Sequence, residues 1–328
     1  MTKQQGMALV LVLWILSLLT IMAGSFALSM RRETTIITGL RNNAEAIATA
    51  ESGLAIAEWM LQNPDANKRW RADGSIYQIN TANAKLRIRL LSETGKINVN
   101  NVEQPLLQNL MNYAPNGGKA QLPSTTVDRA AAILDWRDSD DLTRIDGAEK
   151  QQYQDAGLNY QPRNRSFESL EELQMVLGMD AATLQWLEPL ITVYSEQAQI
   201  DLQLASKEVL QAMPAVDAGL IDSYVAARVE SARNNLPSPP WPLDAGQSAG
   251  TGIGAMTEVT LLTIVSEVQG DDQSTALINA LVKKADGLQT TPFQVLRWQR
   301  TAANNVSLFT NKMNELVVKN YAESELNN

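Results

Sequence analysis

One stretch near the start constrains what the rest of the chain can do. Positions 7–30, MALVLVLWILSLLTIMAGSFALSM, carry no charged residue, with Lys3 before them and Arg31 and Arg32 after. As a helix the run extends about 36 Å at about 1.5 Å per residue, enough to cross a bilayer core roughly 30 Å thick. One expectation is a secretory signal peptide, cut in the small-residue stretch between Ala23 and Ala27. Against it, the run exceeds a usual signal core and continues into a helix-compatible stretch, RRETTIITGLRNNAEAIATAESGLAIAEWMLQ. A second expectation is a plain signal anchor. Its orientation is not set by charge, because Glu33 and Glu45 dilute the bias of Arg31, Arg32 and Arg41.

The third expectation rests on the leader. MTKQQG is short and polar, ends in glycine, and gives way to the apolar helix at the next residue. This resembles the class III signal of type IV pilins and type II secretion pseudopilins. The resemblance implies that a prepilin peptidase cuts after Gly6, that Met7 becomes the mature and methylated N-terminus, and that the helix is retained. Most such chains carry a glutamate five residues into the mature protein, where this one has Leu11. An ionisable side chain at that depth is costly without a partner. A subunit at a filament tip has none above it to register against. In this Leu11 resembles the K minor pseudopilins.

Composition removes several chemistries. The chain has 328 residues with 27 Lys plus Arg against 36 Asp plus Glu, a net charge of −9. An acidic surface of this kind disfavours nucleic acid as a partner. There is no cysteine and no histidine, so neither a disulfide framework nor a Ser-His or Cys-His nucleophile can form. The soft zinc ligands are missing for the same reason.

The pattern along the chain predicts a helix continuing over 31–62 and ended by Asn63-Pro64-Asp65. Strands are predicted at 75–80, at 85–91 and from 97. In the second, Leu86, Ile88 and Leu90 alternate with Lys85, Arg87 and Arg89. From about 106 to 236 helical segments dominate. Two units match at a constant offset, with Ser169 paired to Ser206, Asp180 to Asp217 and Leu184 to Ile221. Each reads as a serine N-cap, a short helix, a turn and a second helix. A Pro- and Gly-rich linker covers 237–255, strand-like runs return at 258–265 and 293–298, and 274–284 reads as either strand or helix. Helix-hairpin-helix pairs can bind DNA, but no basic cluster accompanies either turn. Sheet, helical insert, sheet is also the order of the K subunits. The resemblance implies an α+β pseudopilin fold: a long N-terminal transmembrane helix and an antiparallel sheet, interrupted by a large all-helical, SAM-like or helix-hairpin-helix-like domain. The implied division is leader 1–6, membrane part of the helix 7–30, α/β domain 31–105 and 241–328, and inserted domain 106–240.

The second strong signal is acidic. Asp135, Asp138, Asp140, Asp141, Asp146 and Glu149 fall within DWRDSDDLTRIDGAEKQQY. Alternating Asp oxygens, with Glu149 closing the loop, suit a hard cation such as calcium, which takes six to eight oxygens. The spacing from Asp138 to Glu149 is that of an EF-hand loop. Thr143 nevertheless stands where that loop needs glycine, and Leu142 and Arg144 interrupt its ligands. A solvated acidic loop is the alternative. Asp135, Trp136, Asp138, Asp140, Gly147, Ala148, Glu149 and Tyr153 also resemble a stretch of the K subunits. That implies a structural calcium, with Asp138, Asp140, Asp141, Asp146 and Glu149 as its ligands. A second resemblance covers Glu93, Gly95, Lys96, Asn98 and Asn100, read either as a surface for another pseudopilin or as a turn whose Asn side chains bond their own backbone. Trp136 and Trp186 are expected in the core.

Taken together, the resemblance implies a structural, non-catalytic minor pseudopilin at the tip of a type II secretion pseudopilus. Its implied partners are minor pseudopilins I and J, with H, the inner-membrane secretion platform and exported substrates as further candidates. The implied location is the inner membrane, single pass, N-terminus cytoplasmic and globular part periplasmic. Rival expectations are a signal-anchored periplasmic metal-dependent hydrolase and a minor pilin of a type IV pilus.

Overall fold

The computed structural model describes residues 5–122, 126–195, 199–214, 216–242, 260–285, 292–301 and 307–322. Its first element is a helix of 57 residues, α1 (Gln5–Leu61), about 85 Å long at about 1.5 Å per residue. The helix is exposed along its apolar N-terminal half. Only from Ala46 onward does it bury a stripe, made of Ala46, Ala50, Leu54, Ala57 and Met60. Spacings of three and four put these on one face. Their small size lets the helix lie close to a sheet. At the contact, Ser266 Oγ donates to the Ala50 carbonyl at 2.8 Å. A Cβ on Gly53 would overlap that hydroxyl.

The sheet has six strands in the order β10-β1-β2-β7-β8-β9. They are β1 (Asp73–Asn80), β2 (Ala84–Ser92), β7 (Leu261–Gly270), β8 (Thr275–Lys284), β9 (Phe293–Thr301) and β10 (Val317–Ala322). All predicted strands of the α/β part appear. The run at 274–284, open between strand and helix in the sequence, is strand β8. Neighbours from β1 through β9 are antiparallel. β10, absent from the sequence expectation, adds parallel to β1. β2 pairs with β7 from Ala84↔Gly270 to Ser92↔Leu262, which joins the chain before the helical region to the chain after it.

Leu86, Ile88 and Leu90 pack in the core shared with α1. Arg87 and Arg89 occupy the opposite side of β2 and are buried too. Arg87 donates to Gln78 at 2.8 Å and to the Leu308 carbonyl at 2.7 Å. Arg89 meets Glu208 at 3.1 Å. That face is covered rather than wet.

Between β3 (Ile97–Asn98) and β7 lie α2 (Gln104–Asn112), α3 (Arg129–Arg137), α4 (Lys150–Asp155), α5 (Ala181–Leu187), α6 (Lys207–Ala212) and α7 (Ala218–Arg233). Leu107, Leu110, Ile133, Trp136, Tyr153 and Leu210 belong to their common core. Trp186 packs against it from a partly buried position. Three small strands also fall here: β4 (Lys119–Gln121), β5 (Thr126–Asp128) and β6 (Ile191–Thr192). They are too short to leave a readable period in a region otherwise helical. Of the expected serine caps, Ser206 accepts from the backbone of α6, while the matched Asp180 and Asp217 cap α5 and α7. Ser169 makes no such bond, and the segment after it is a 3-10 turn, Leu170–Met175. Gly178 adopts φ +82° in the first of the two turns; Ala215 of the second, and the predicted linker beyond 242, lie outside the described residues.

Candidate functional site: the acidic loop and the exposed helix

α3 is capped by Asp128, which accepts from the Ala131 N–H at 3.0 Å, and it buries every residue from Arg129 through Trp136. Trp136 sits among Tyr153 and Phe167. This packing carries Asp135 fully inside, at 0% exposure. Its Oδ2 accepts from Ala148 N at 2.9 Å and Arg144 N at 3.3 Å, and its Oδ1 accepts from Arg144 Nη1 at 2.7 Å. A Cβ on Gly147 would collide with that carboxylate, so the glycine is what lets the loop close over Asp135. Burial raises the Asp135 pKa against the lowering effect of these donors.

The loop leaves α3 at Asp138 and returns at Glu149, the first capping residue of α4, whose N–H donates to Gln152 Oε1 at 2.9 Å. Glu149 is 4% exposed, and neither of its carboxylate oxygens has a hydrogen-bond partner. Its pKa is pushed up to about 7, first by burial and then by the negative charges of Asp135, Asp138, Asp141 and Asp140. Asp138 Oδ2 accepts from Arg144 Nη1, while its Oδ1 is buried and unpaired. A fourth unpaired buried oxygen is Asn164 Oδ1. Asn164 is tied to the same loop, its Nδ2 donating to the Asp140 carbonyl at 3.1 Å and to Asp141 Oδ1 at 2.8 Å.

The structure thus brings Asp138 and Glu149 together with Asp135, and places Asp140 and Asp141 on the exposed rim. Asp140 Oδ1 accepts from Leu142 N at 2.9 Å. Asp146 turns elsewhere, with a positive φ of 56° and its carboxylate on Lys119 at 2.7 Å. Among the described residues no three carboxylates stand positioned to grip one ion. The donor set nonetheless fits a hard cation: buried carboxylate and amide oxygens without partners, in a place where burying unpaired charge is costly. Asn164 was missed from the sequence. It follows the acidic run at a distance that no loop motif sets, and it arrives through a left-handed backbone turn at φ 52°.

The Glu93–Asn100 stretch is not a docking surface. Glu93 and Lys96 are buried, 2.5 Å apart, with Thr263 of β7 bonded to both. Asn98 accepts from Asn100 N at 2.8 Å, as the turn reading expects, and also donates to the Ser195 carbonyl at 2.7 Å. Asn100 exchanges two bonds with the Phe167 backbone. The stretch welds the sheet to the helical region.

The other functional element is the free half of α1. It is the one helix among the described residues long and apolar enough to cross a membrane, with a mean hydropathy of 2.4 and none of that window buried. Leu11, Trp14 and Phe26 are exposed. Gly6 and Met7 lie in its first turn. Beyond the uncharged run, Ile36, Ile37 and Leu40 are also exposed, ahead of the first residue that meets the sheet.

Comparison with known proteins agrees with this arrangement. The family model described as "Type II secretion system (T2SS), protein K" matches residues 80–196. Type II secretion system protein K of Pseudomonas aeruginosa is 23% identical over 305 residues, covering 87% of this chain and 90% of the relative. The chain is thus similar to type II secretion system protein K over most of its length. Protein K of Klebsiella pneumoniae is 25% identical over 218 residues, which is 60% of this chain and 64% of that one. A chain of the crystal structure of the GspK-GspI-GspJ complex from enterotoxigenic Escherichia coli aligns with a TM-score of 0.47 at 16% identity, covering 83% of this chain and 99% of its own.

Proposed function

We propose that this protein is a structural minor pseudopilin that stands at the tip of the type II secretion pseudopilus, where it initiates or caps the filament driving export across the outer membrane. One observation carries the reading: α1 runs unbroken from an exposed apolar half into the stripe buried against β7 and β8. A helix built this way serves first as a membrane anchor and then as the packing element of an assembly. Similarity to protein K over most of the chain favours this reading over the periplasmic hydrolase. The N-terminus is cytoplasmic before processing and the folded part periplasmic. Partners are the I and J minor pseudopilins, the pair present with K in the Escherichia coli complex. Leu11 suits a position with no neighbour above, and the helical region would obstruct a further subunit.

The acidic loop is proposed to hold a structural calcium through Asp138 and Glu149, joined by Asn164, with Asp140 and Asp141 supplying negative charge at the rim. When bound, the ion offsets buried negative charge that the loop otherwise leaves unpaired. The residues themselves position the loop over α3.

Two measurements test these statements. Co-expressed with a prepilin peptidase, the mature protein should begin at Met7 and carry an N-terminal methyl group, by intact mass and N-terminal sequencing. A start after Ala27 would refute the pseudopilin reading. Chelation of calcium should lower the melting temperature of the full chain by several degrees. An unchanged value would remove the metal.

A further inference from the structure

Arg144 is the only basic side chain that bonds the carboxylates of the acidic loop's interior among the described residues, and its position is specific. Nη1 bridges Asp135 Oδ1, at 2.7 Å, and Asp138 Oδ2. The Arg144 N–H also holds Asp135, and its carbonyl accepts from Gly147 N at 2.9 Å. Asp135 therefore has donors on both oxygens. Asp138 shares one oxygen with Arg144 and leaves the other unpaired, as are both Glu149 carboxylate oxygens and Asn164 Oδ1. Arg144 thus brings one positive charge to two carboxylates, Asp135 and Asp138, and makes no bond to the buried Glu149, so the loop interior keeps excess negative charge. Arg137, the other nearby cation, is committed to the Val99 and Val102 carbonyls.

We propose that Arg144 is a resident counter-cation that competes with the divalent ion for Asp138 and so sets the affinity of the site. With the ion scarce, Arg144 staples Asp138 to Asp135 and keeps the loop folded. With the ion plentiful, Asp138 turns from the guanidinium to the ion, and Arg144 stays on Asp135. That no three carboxylates converge among the described residues is what this predicts for the stapled state, since the arginine draws Asp138 toward Asp135. A positive charge a few ångströms from a divalent cation is repulsive even at an effective dielectric near about 20, so the staple weakens binding while stabilising the metal-free fold. The inference rests on the calcium reading of this loop.

The test is calorimetric titration of calcium into the full chain in a nonionic detergent, with melting curves in chelator, for the native protein, Arg144→Gln and Arg144→Lys. Arg144→Gln should bind calcium about tenfold or more tightly, through loss of like-charge repulsion, and should melt lower in chelator. Arg144→Lys keeps the charge and should stay within about threefold of the native affinity. Equal or weaker binding by Arg144→Gln, or equal tightening by Arg144→Lys, overturns the competition while leaving calcium binding intact. Binding by Arg144→Gln alone overturns the calcium reading of the native loop and, with it, the competition. Binding by none of the three overturns both readings. Should Arg144→Gln not fold, Arg144→Met, which keeps the packed stem, takes its place with the same outcomes.

Discussion

At the scale of single residues, Glu149 concentrates the argument. It is buried with both oxygens unpaired, and its pKa is about 7 against an ordinary 4.5. A carboxyl whose folded pKa lies above its unfolded one contributes stability that is complete below about pH 4.5 and is lost as pH rises through about 7. In chelator, Glu149→Gln should therefore melt higher than the native protein at pH 8, and the difference should vanish near pH 5. Calcium should reverse the order at pH 8, because glutamine loses the ligand charge. A native protein that melts above the variant in chelator at pH 8 would mean that the Glu149 charge is already compensated within the chain. The carboxylates of this site were legible in the sequence because acidic residues crowd one loop. Asn164 and the bridging role of Arg144 were not. A neutral amide and an interrupting arginine acquire meaning only when the chain folds them onto the same oxygens.

At the scale of elements, the seating of α1 on the sheet depends on small residues. Ala46, Ala50 and Ala57 bring the helix close, and Gly53 meets Ser266 of β7. Gly53→Leu should force the helix away and lower stability by about 1–3 kcal/mol, the usual cost of overpacking, read as a shifted denaturation midpoint at unchanged slope. An unshifted midpoint would mean that the helix does not seat there. The alternation of β2 was readable before the structure, since it is a local pattern. The cover over Arg87 and Arg89 was not: two arginines facing away from a helix look solvated until the helical region and the Leu308 segment close over them. β10 escaped for a related reason. Its partner β1 is more than two hundred residues earlier in sequence, and its own short run carries no alternation that distinguishes it from a tail.

At the scale of the whole molecule, an exposed apolar rod leads into an α/β core, and a helical region is welded to that core by Asn98, Asn100 and Arg228. Arg228 of α7 donates to the Asp73 carbonyl at 3.0 Å and the Ala205 carbonyl at 2.7 Å. The helical region is therefore held to the sheet by buried polar bonds. A welded cap of this kind makes a blunt end beside the exposed rod, the arrangement on which the proposed tip role rests. The sheet–insert–sheet order was legible because the change from strand to helical periodicity is abrupt. The most direct measurement of the central claim is co-purification of the full chain with the I and J minor pseudopilins of its own secretion system, followed by native mass spectrometry. The account predicts a complex containing one copy of each subunit that survives gel filtration. Elution of this protein alone, with I and J folded and present, would contradict it.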